Sequence, residues 1–195
     1  MSEPTIPEDV KPVSSLFSPD KERIDEAIAA LTDIFGPVES MSGELFFDRT
    51  RYYAREMGWP LYRRFVSFKE LAAPDRLPEI KLQANEVEQR HLREGKRRVN
   101  IDPGFVSAER LILATGKNYI HRVYLAKGIY ADLTLLFQRG GFQKLPWTYP
   151  DYADPETIDF FNKVREQYMA QLRVKRMKVQ GSGFKGSGLA RHSVR

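Results

Sequence analysis

The chain has 195 residues, with 31 Lys and Arg against 26 Asp and Glu, three histidines and no cysteine. That length holds one domain with extensions, and about 70% of the unfolded surface can be buried at this size. A cysteine-free chain excludes disulfides, thiolate metal sites and a cysteine nucleophile, and suits a reducing, cytoplasmic setting.

The formal charge of +5 is unevenly spread. Seven basic residues and no acid fall in residues 173–195, which leaves 24 basic against 26 acidic residues in 1–172. The body is therefore near neutral, and a globally basic domain that coats nucleic acid is excluded. No stretch approaches 18 apolar residues, so no membrane span is expected. The first twelve residues contain Glu3, Glu8 and Asp9 and lack the apolar core of a signal peptide.

In chain order, residues 1–12 carry three prolines and read as a flexible arm. Residues 13–17 are a first strand. Ser18-Pro19-Asp20 opens a helix with Ser18 as its cap. Ile24, Ala27, Ile28, Leu31, Ile34 and Phe35 repeat at helical spacing, and Gly36-Pro37 stops the helix. Residues 38–48 hold a strand, 49–58 a short helix or turn, and 61–68 another strand in which Arg63 and Arg64 point to opposite faces. A second helix over 78–93 buries Ile80, Leu82, Val87 and Leu92 and places Lys81 and Asn85 on one face. Residues 96–101 form a strand closed by an Asp102-Pro103-Gly104 turn, and 107–114 a short helix capped by Ser107. A hairpin follows, 121–125 and 129–137, around a three-residue turn Ala126-Lys127-Gly128. A loop rich in proline and aromatics then leads into a helix over 155–176.

The early order β-α-β-β-α-β predicts an α+β protein: a two-layer sandwich with a ferredoxin-like split βαβ core, extended by a β-hairpin and a C-terminal helix. Residues 13–172 form the domain and 173–195 a basic Gly/Ser-containing flexible tail.

Strand alternation assigns a polar sheet face. Arg98, Asn100 and Asp102 share one side of their strand, with Val99 and Ile101 opposite. The hairpin turn pairs Leu125 with Ile129, Tyr124 with Tyr130 and Arg122 with Asp132, so Arg122, Tyr124, Tyr130, Asp132 and Thr134 share a face. Such a surface binds an anion if the Arg forks hold phosphate or carboxylate and Asp102 or Asp132 moves a proton, with His121 as an auxiliary base. Against this, Arg122 opposite Asp132 is an ordinary cross-strand ion pair on a solvated face, and His121 a strand-end histidine with no role. The Pro146-Trp147-Thr148-Tyr149-Pro150-Asp151-Tyr152 loop either rims a pocket with its aromatics or packs them onto the core.

Other signals are weaker. His91, His121 and His192 have no metal-ligand spacing, so no metal site is implied, and no cofactor is indicated. No phosphate-binding loop or serine elbow is present. Gly181-Ser182-Gly183-Phe184-Lys185-Gly186 matches a dinucleotide fingerprint, but too few residues follow for the helix and strand it needs. The tail's positive charge suits weak, non-specific contact with nucleic acid or an acidic partner.

Several segments resemble one bacterial family, known as domain of unknown function 4416. They are Phe47-Asp48-Arg49-Thr50-Arg51-Tyr52-Tyr53, Arg97-Arg98-Val99-Asn100-Ile101-Asp102-Pro103-Gly104, His121-Arg122-Val123-Tyr124-Leu125, Gly128-Ile129-Tyr130-Ala131-Asp132-Leu133-Thr134 and the Trp147 loop. The likeness runs in order over residues 10–165 and departs at Arg49 and Arg51. It implies no established activity. A GTP-binding label borne by some members finds no support in Asn162-Lys163-Val164-Arg165, which lacks the aspartate of a guanine-reading motif. The expectation is a cytoplasmic module that binds a small anionic ligand or a protein partner. The alternatives are an enzyme acting on a phosphorylated or nucleotide-like substrate, and a nucleic-acid accessory protein acting through the tail.

Overall fold

The computed structural model of the chain describes residues 1–48 and 50–182. The first strand, β1 (Lys11–Ser18), begins earlier than its apolar run suggests. Lys11 and Val10 are both buried, and Val10 exchanges backbone hydrogen bonds with Ala72. The N-terminal arm is correspondingly shorter than residues 1–12. Burial of Lys11 is tolerated because its ammonium meets Glu39 at 2.5 Å.

Helix α1 (Lys21–Phe35) is capped by Asp20, whose Oδ1 accepts from Glu22 N at 3.1 Å. Ser18, the expected cap, stays in β1. Its hydroxyl accepts from Asp20 N and donates to Arg98 O. Ile24, Ala27, Ile28, Leu31 and Phe35 form the buried stripe read from the sequence.

Next come β2 (Val38–Met41), β3 (Leu45–Phe46), the single turn α2 (Ala54–Met57), β4 (Tyr62–Phe68) and α3 (Leu77–Arg90). Helix α3 buries Ile80, Ala84 and Val87 as periodicity requires, while Leu82 and Leu92 are exposed. Lys81 is buried instead. The remaining elements are β5 (Asn100–Val106), β6 (Arg110–Thr115), β7 (Arg122–Ala126), β8 (Ile129–Gln138), β9 (Gly141–Lys144) and α4 (Pro155–Ser182).

All strands join one antiparallel sheet in the order β2-β4-β1-β5-β6-β8-β7, with β3 beside β4 and β9 beside β8. The first four positions reproduce the split βαβ core, and β6 to β9 extend it beyond β5. The α+β expectation holds. Helices α1 and α3 cover one face through Leu16, Val66, Phe68, Val99 and Ile101. Helix α4 covers the other through Phe161 and Val164, which meet Val13, Phe65, Leu111, Leu113 and Leu135. Part of the sheet thus lies between two helical layers, one more than the expected sandwich.

Two local readings are corrected. Asp102-Pro103-Gly104 is no turn: it runs through β5, opposite Ser15, Ser14 and Val13 of β1. Sheet pairing overrides the turn propensity, and pairing to β6 starts only at Gly104, after the proline. Gly104 is needed because a Cβ there would lie 2.2 Å from Ile112 O. The segment 107–114 is no helix, because its short apolar run enters β6 after a tight turn closed by Ser107 N donating to Arg110 O.

The β7–β8 hairpin keeps the Arg122–Asp132 and Tyr124–Tyr130 pairs, but Ala126, not Leu125, faces Ile129. Lys127 and Gly128 both have positive φ, giving a two-residue turn, and Leu125 bulges out of register. Helix α4 continues through residues 173–182, where a flexible tail was expected. There Lys175 and Arg176 pair with Asp9 and Glu8. The glycine-rich match and the end of the tail lie outside the described residues, apart from the helical Gly181 and Ser182. Among the described residues no helix is long and apolar enough to cross a membrane.

Candidate functional site

The face of the sheet that α4 covers in part carries most of the polar residues singled out above. Asp132 is opposite Leu113, whose side chain packs under α4, and Asp102 is opposite Ser15, two positions from the equally covered Val13. Strand alternation therefore directs both carboxylates to this face.

Around Asp132 the chain converges. Arg122 Nε donates to Asp132 Oδ2 at 2.8 Å, and its Nη1 and Nη2 donate to Lys117 O at 2.9 Å and the Tyr149 hydroxyl at 3.0 Å. His121 Nε2 lies 3.5 Å from the same Asp132 oxygen. The side chains of His121, Arg122 and Asp132 are each less than a tenth exposed. The imidazole stacks on Trp147 with ring centroids 5.1 Å apart and an interplanar angle of 11°, and Tyr119 meets it edge-on. Neither imidazole nitrogen has a hydrogen-bond partner.

The aromatic loop is both anchored and open. Trp147 Nε1 donates to Leu133 O, Thr148 Oγ1 donates to Thr134 O, and Tyr152 is buried against Phe65 and Phe161. Trp147 and Tyr149 nevertheless remain 38% and 51% exposed. Tyr124 and Tyr130 contact each other edge-on at 5.3 Å on the same side of the hairpin.

Asn100 and Asp102 belong to a second cluster on this face. Arg97 grips Glu56 with two hydrogen bonds of 2.7 and 2.8 Å and donates to Asn100 Oδ1, and Asn100 donates to Asp102 Oδ2. The Arg97 grip holds the Glu56 carboxyl below its ordinary range. Burial, aided by the negative charge of Asp102, pushes the Tyr53 phenol up to about 12. Lys81 reaches up from α3 to donate to Ile101 O and lies 3.8 Å from Asp102.

Arg98 is the misplaced residue. It sits in a bend before β5, not on the strand, and lines a cavity with Asp20, Arg23, His91, Leu92 and Arg93. The hydroxyl of Ser18 holds its carbonyl there. Arg98 and Arg122 therefore do not form one clamp.

Sequence reading also missed a buried ion pair. Arg63 faces inward, as one of the two adjacent arginines had to, and pairs with Asp151. Its guanidinium lies 4.0 Å from the Phe47 ring centroid and 5.0 Å from that of Phe17. A cavity of about 220 Å³ opens beside it, lined by Phe46, Phe47, Asp151, Glu156 and their neighbours. The sequence signalled one inward arginine through the adjacent Arg63 and Arg64, and its partner only through the acidic spacing of Asp151, Asp154 and Glu156 around the start of α4. Among the described residues no group of three or more His, Asp or Glu could hold a metal ion.

These features define an α+β protein built on one antiparallel sheet, with a buried His-Asp-Arg cluster beneath an aromatic loop. The chain belongs to the family described as a domain of unknown function, DUF4416, whose model matches residues 8–168. No curated protein and no solved structure matches it.

Proposed function

We propose that this protein is a cytoplasmic binding module that holds a small nucleotide-like anion over the polar sheet face, with Trp147 and Tyr149 as the rim of the site. The buried His121 Nδ1, which has no hydrogen-bond partner, carries the reading. A buried polar group without a partner costs about 1–3 kcal/mol, and such groups are retained where a ligand or ordered water completes them. Here a ligand acceptor or donor meets the imidazole, a flat ring stacks on the exposed aromatic faces, and Lys117 and Arg122 supply positive charge. Arg122 is already engaged by Asp132, Tyr149 and the Lys117 carbonyl, so it acts as a charge and a brace rather than as an open fork.

A second reading, an enzyme acting on a nucleotide-like substrate, is favoured by the 3.5 Å approach of His121 to Asp132, an arrangement suited to acid/base work. Titrating the full chain with AMP and GMP separates the two. Binding should quench Trp147 emission and raise the melting temperature, since ligand at 100 times its Kd adds about 2.7 kcal/mol. His121→Ala should weaken binding about tenfold, and Trp147→Phe should abolish the quench. Recovery of chemically changed nucleotide would favour the enzyme. The proposal is abandoned if millimolar nucleotide moves neither readout, or if His121→Ala binds as the wild type does.

A further inference from the structure

The cavity that contains Arg98 has a composition unlike any other surface described above. It encloses about 240 Å³ and is lined by Arg23, Arg93, Arg98 and His91, with Leu92 and the single acid Asp20. Three guanidiniums against one carboxylate leave the lining with two net positive charges. Arg23 is partly engaged, with Glu26 at 2.6 Å and Asp20 at 3.7 Å, and Glu26 also lies 3.6 Å from His91 Nδ1. The guanidiniums of Arg93 and Arg98 make no hydrogen bond or ion pair among the described residues.

Both free arginines stand on braced backbone. Arg93 and Lys96 exchange backbone hydrogen bonds of 3.0 and 2.9 Å across a two-residue turn in which Glu94 and Gly95 have positive φ. Ser18 donates to Arg98 O at 2.6 Å, and the adjoining Val99 is fully buried. The cavity also lies where the start of α1, near Asp20 and Arg23, meets the end of α3 at His91. Unpaired like charges brought together on rigid backbone repel one another, and an oxyanion relieves that repulsion. Arginine forks match phosphate oxygens bidentately.

We propose that this cavity is a phosphate site, with Arg93 and Arg98 as the forks and Arg23 and His91 as flanking donors, and that it takes the phosphoryl group of a small phosphate monoester or diphosphate. The two unpaired guanidiniums of Arg93 and Arg98 match the charge of a phosphate dianion, and the volume exceeds what one phosphate fills. The site is separate from the His121 cluster and stands or fails independently of it.

The test is titration calorimetry of the full chain with phenyl phosphate and pyrophosphate at constant ionic strength, with citrate as the carboxylate control. Both phosphates should bind, and Arg93→Gln/Arg98→Gln should weaken them at least about tenfold, the loss expected for charge-assisted hydrogen bonds. Arg93→Lys/Arg98→Lys, which keeps the charge and removes the forks, should fall between. The tail variant Lys185→Gln/Arg191→Gln should bind as the wild type does. Undiminished binding by the double Gln variant, loss in the tail variant, citrate binding as tight as phosphate, or no heat beyond a sodium chloride blank would each overturn the proposal.

Discussion

Replacing Asp151 with asparagine removes the carboxylate that faces Arg63 while leaving size and shape almost unchanged. The Arg63 side chain is 6% exposed and Asp151 13%, and the guanidinium is surrounded by the rings of Phe17, Phe47, Phe65 and Tyr152. Those rings offer cation–π attraction but no compensating charge. Breaking a buried pair by removing one partner costs about 3–5 kcal/mol, because the survivor stays charged and largely buried. At about 2–4 °C per kcal/mol for a chain of this size, the melting temperature should drop by roughly 6–20 °C. Urea unfolding at neutral pH measures the free energy, and scanning calorimetry measures the shift. The double variant Arg63→Met/Asp151→Leu removes both charges and keeps an apolar side chain among the rings, so it should regain most of the loss. If Asp151→Asn unfolds within about 1 kcal/mol of the wild type, Arg63 is neutralised elsewhere and the account of this pair is wrong.

Two further outcomes test the fold. Gly104→Ala should destabilise by about 2–3 kcal/mol in urea unfolding, because the new methyl meets the Ile112 carbonyl on the adjoining strand and backbone cannot step aside as a side chain does; unchanged stability would mean that β5 and β6 are not so close. Burial holds the Glu88 carboxyl above its ordinary value, an effect only partly offset by Lys81 and by the Ile101 N–H it accepts at 2.6 Å. The folded state therefore keeps the Glu88 proton to higher pH than the unfolded chain, and stability falls as pH rises from the ordinary carboxylate range through the raised value. Glu88→Gln retains the acceptor and removes the charge, so that part of the decline should vanish from unfolding free energies measured against pH; a variant with the wild-type slope refutes it.

Much of the candidate site was legible because it lies on one hairpin. Strand period and a short turn bring Arg122 opposite Asp132 and Tyr124 opposite Tyr130 whatever the turn type, so a one-residue error at Leu125 did not disturb them. His121 and the Trp147 loop were recognisable as chemistry, but not their mutual stacking, which depends on how the loop folds back onto β8. Arg98 escapes strand alternation for a specific reason: β5 begins only at Asn100, and Arg98 lies in the bend before it. The side chains that share its cavity come from α1 and from the segment after α3, and no local pattern links Arg23 to Arg93.

By itself the sequence determined the buried stripe of α1, the split βαβ order, the inward turn of one of Arg63 and Arg64, and the uneven charge. Each follows from local periodicity or composition. Only the tertiary structure decided that Asp102-Pro103-Gly104 is central strand, that the apolar run after Ser107 is a strand and not a helix, and that Lys11, Lys81 and Glu88 are buried. It also decided which charges meet. These outcomes depend on long-range pairing: β1 and β6 supply the partners that hold Gly104 extended, and Glu39, the Ile101 carbonyl and the Ile101 N–H satisfy the buried charged groups. A turn signal or a hydrophilic side chain expresses a preference for the isolated segment, and that preference yields wherever distant strands provide hydrogen bonds that water would otherwise supply.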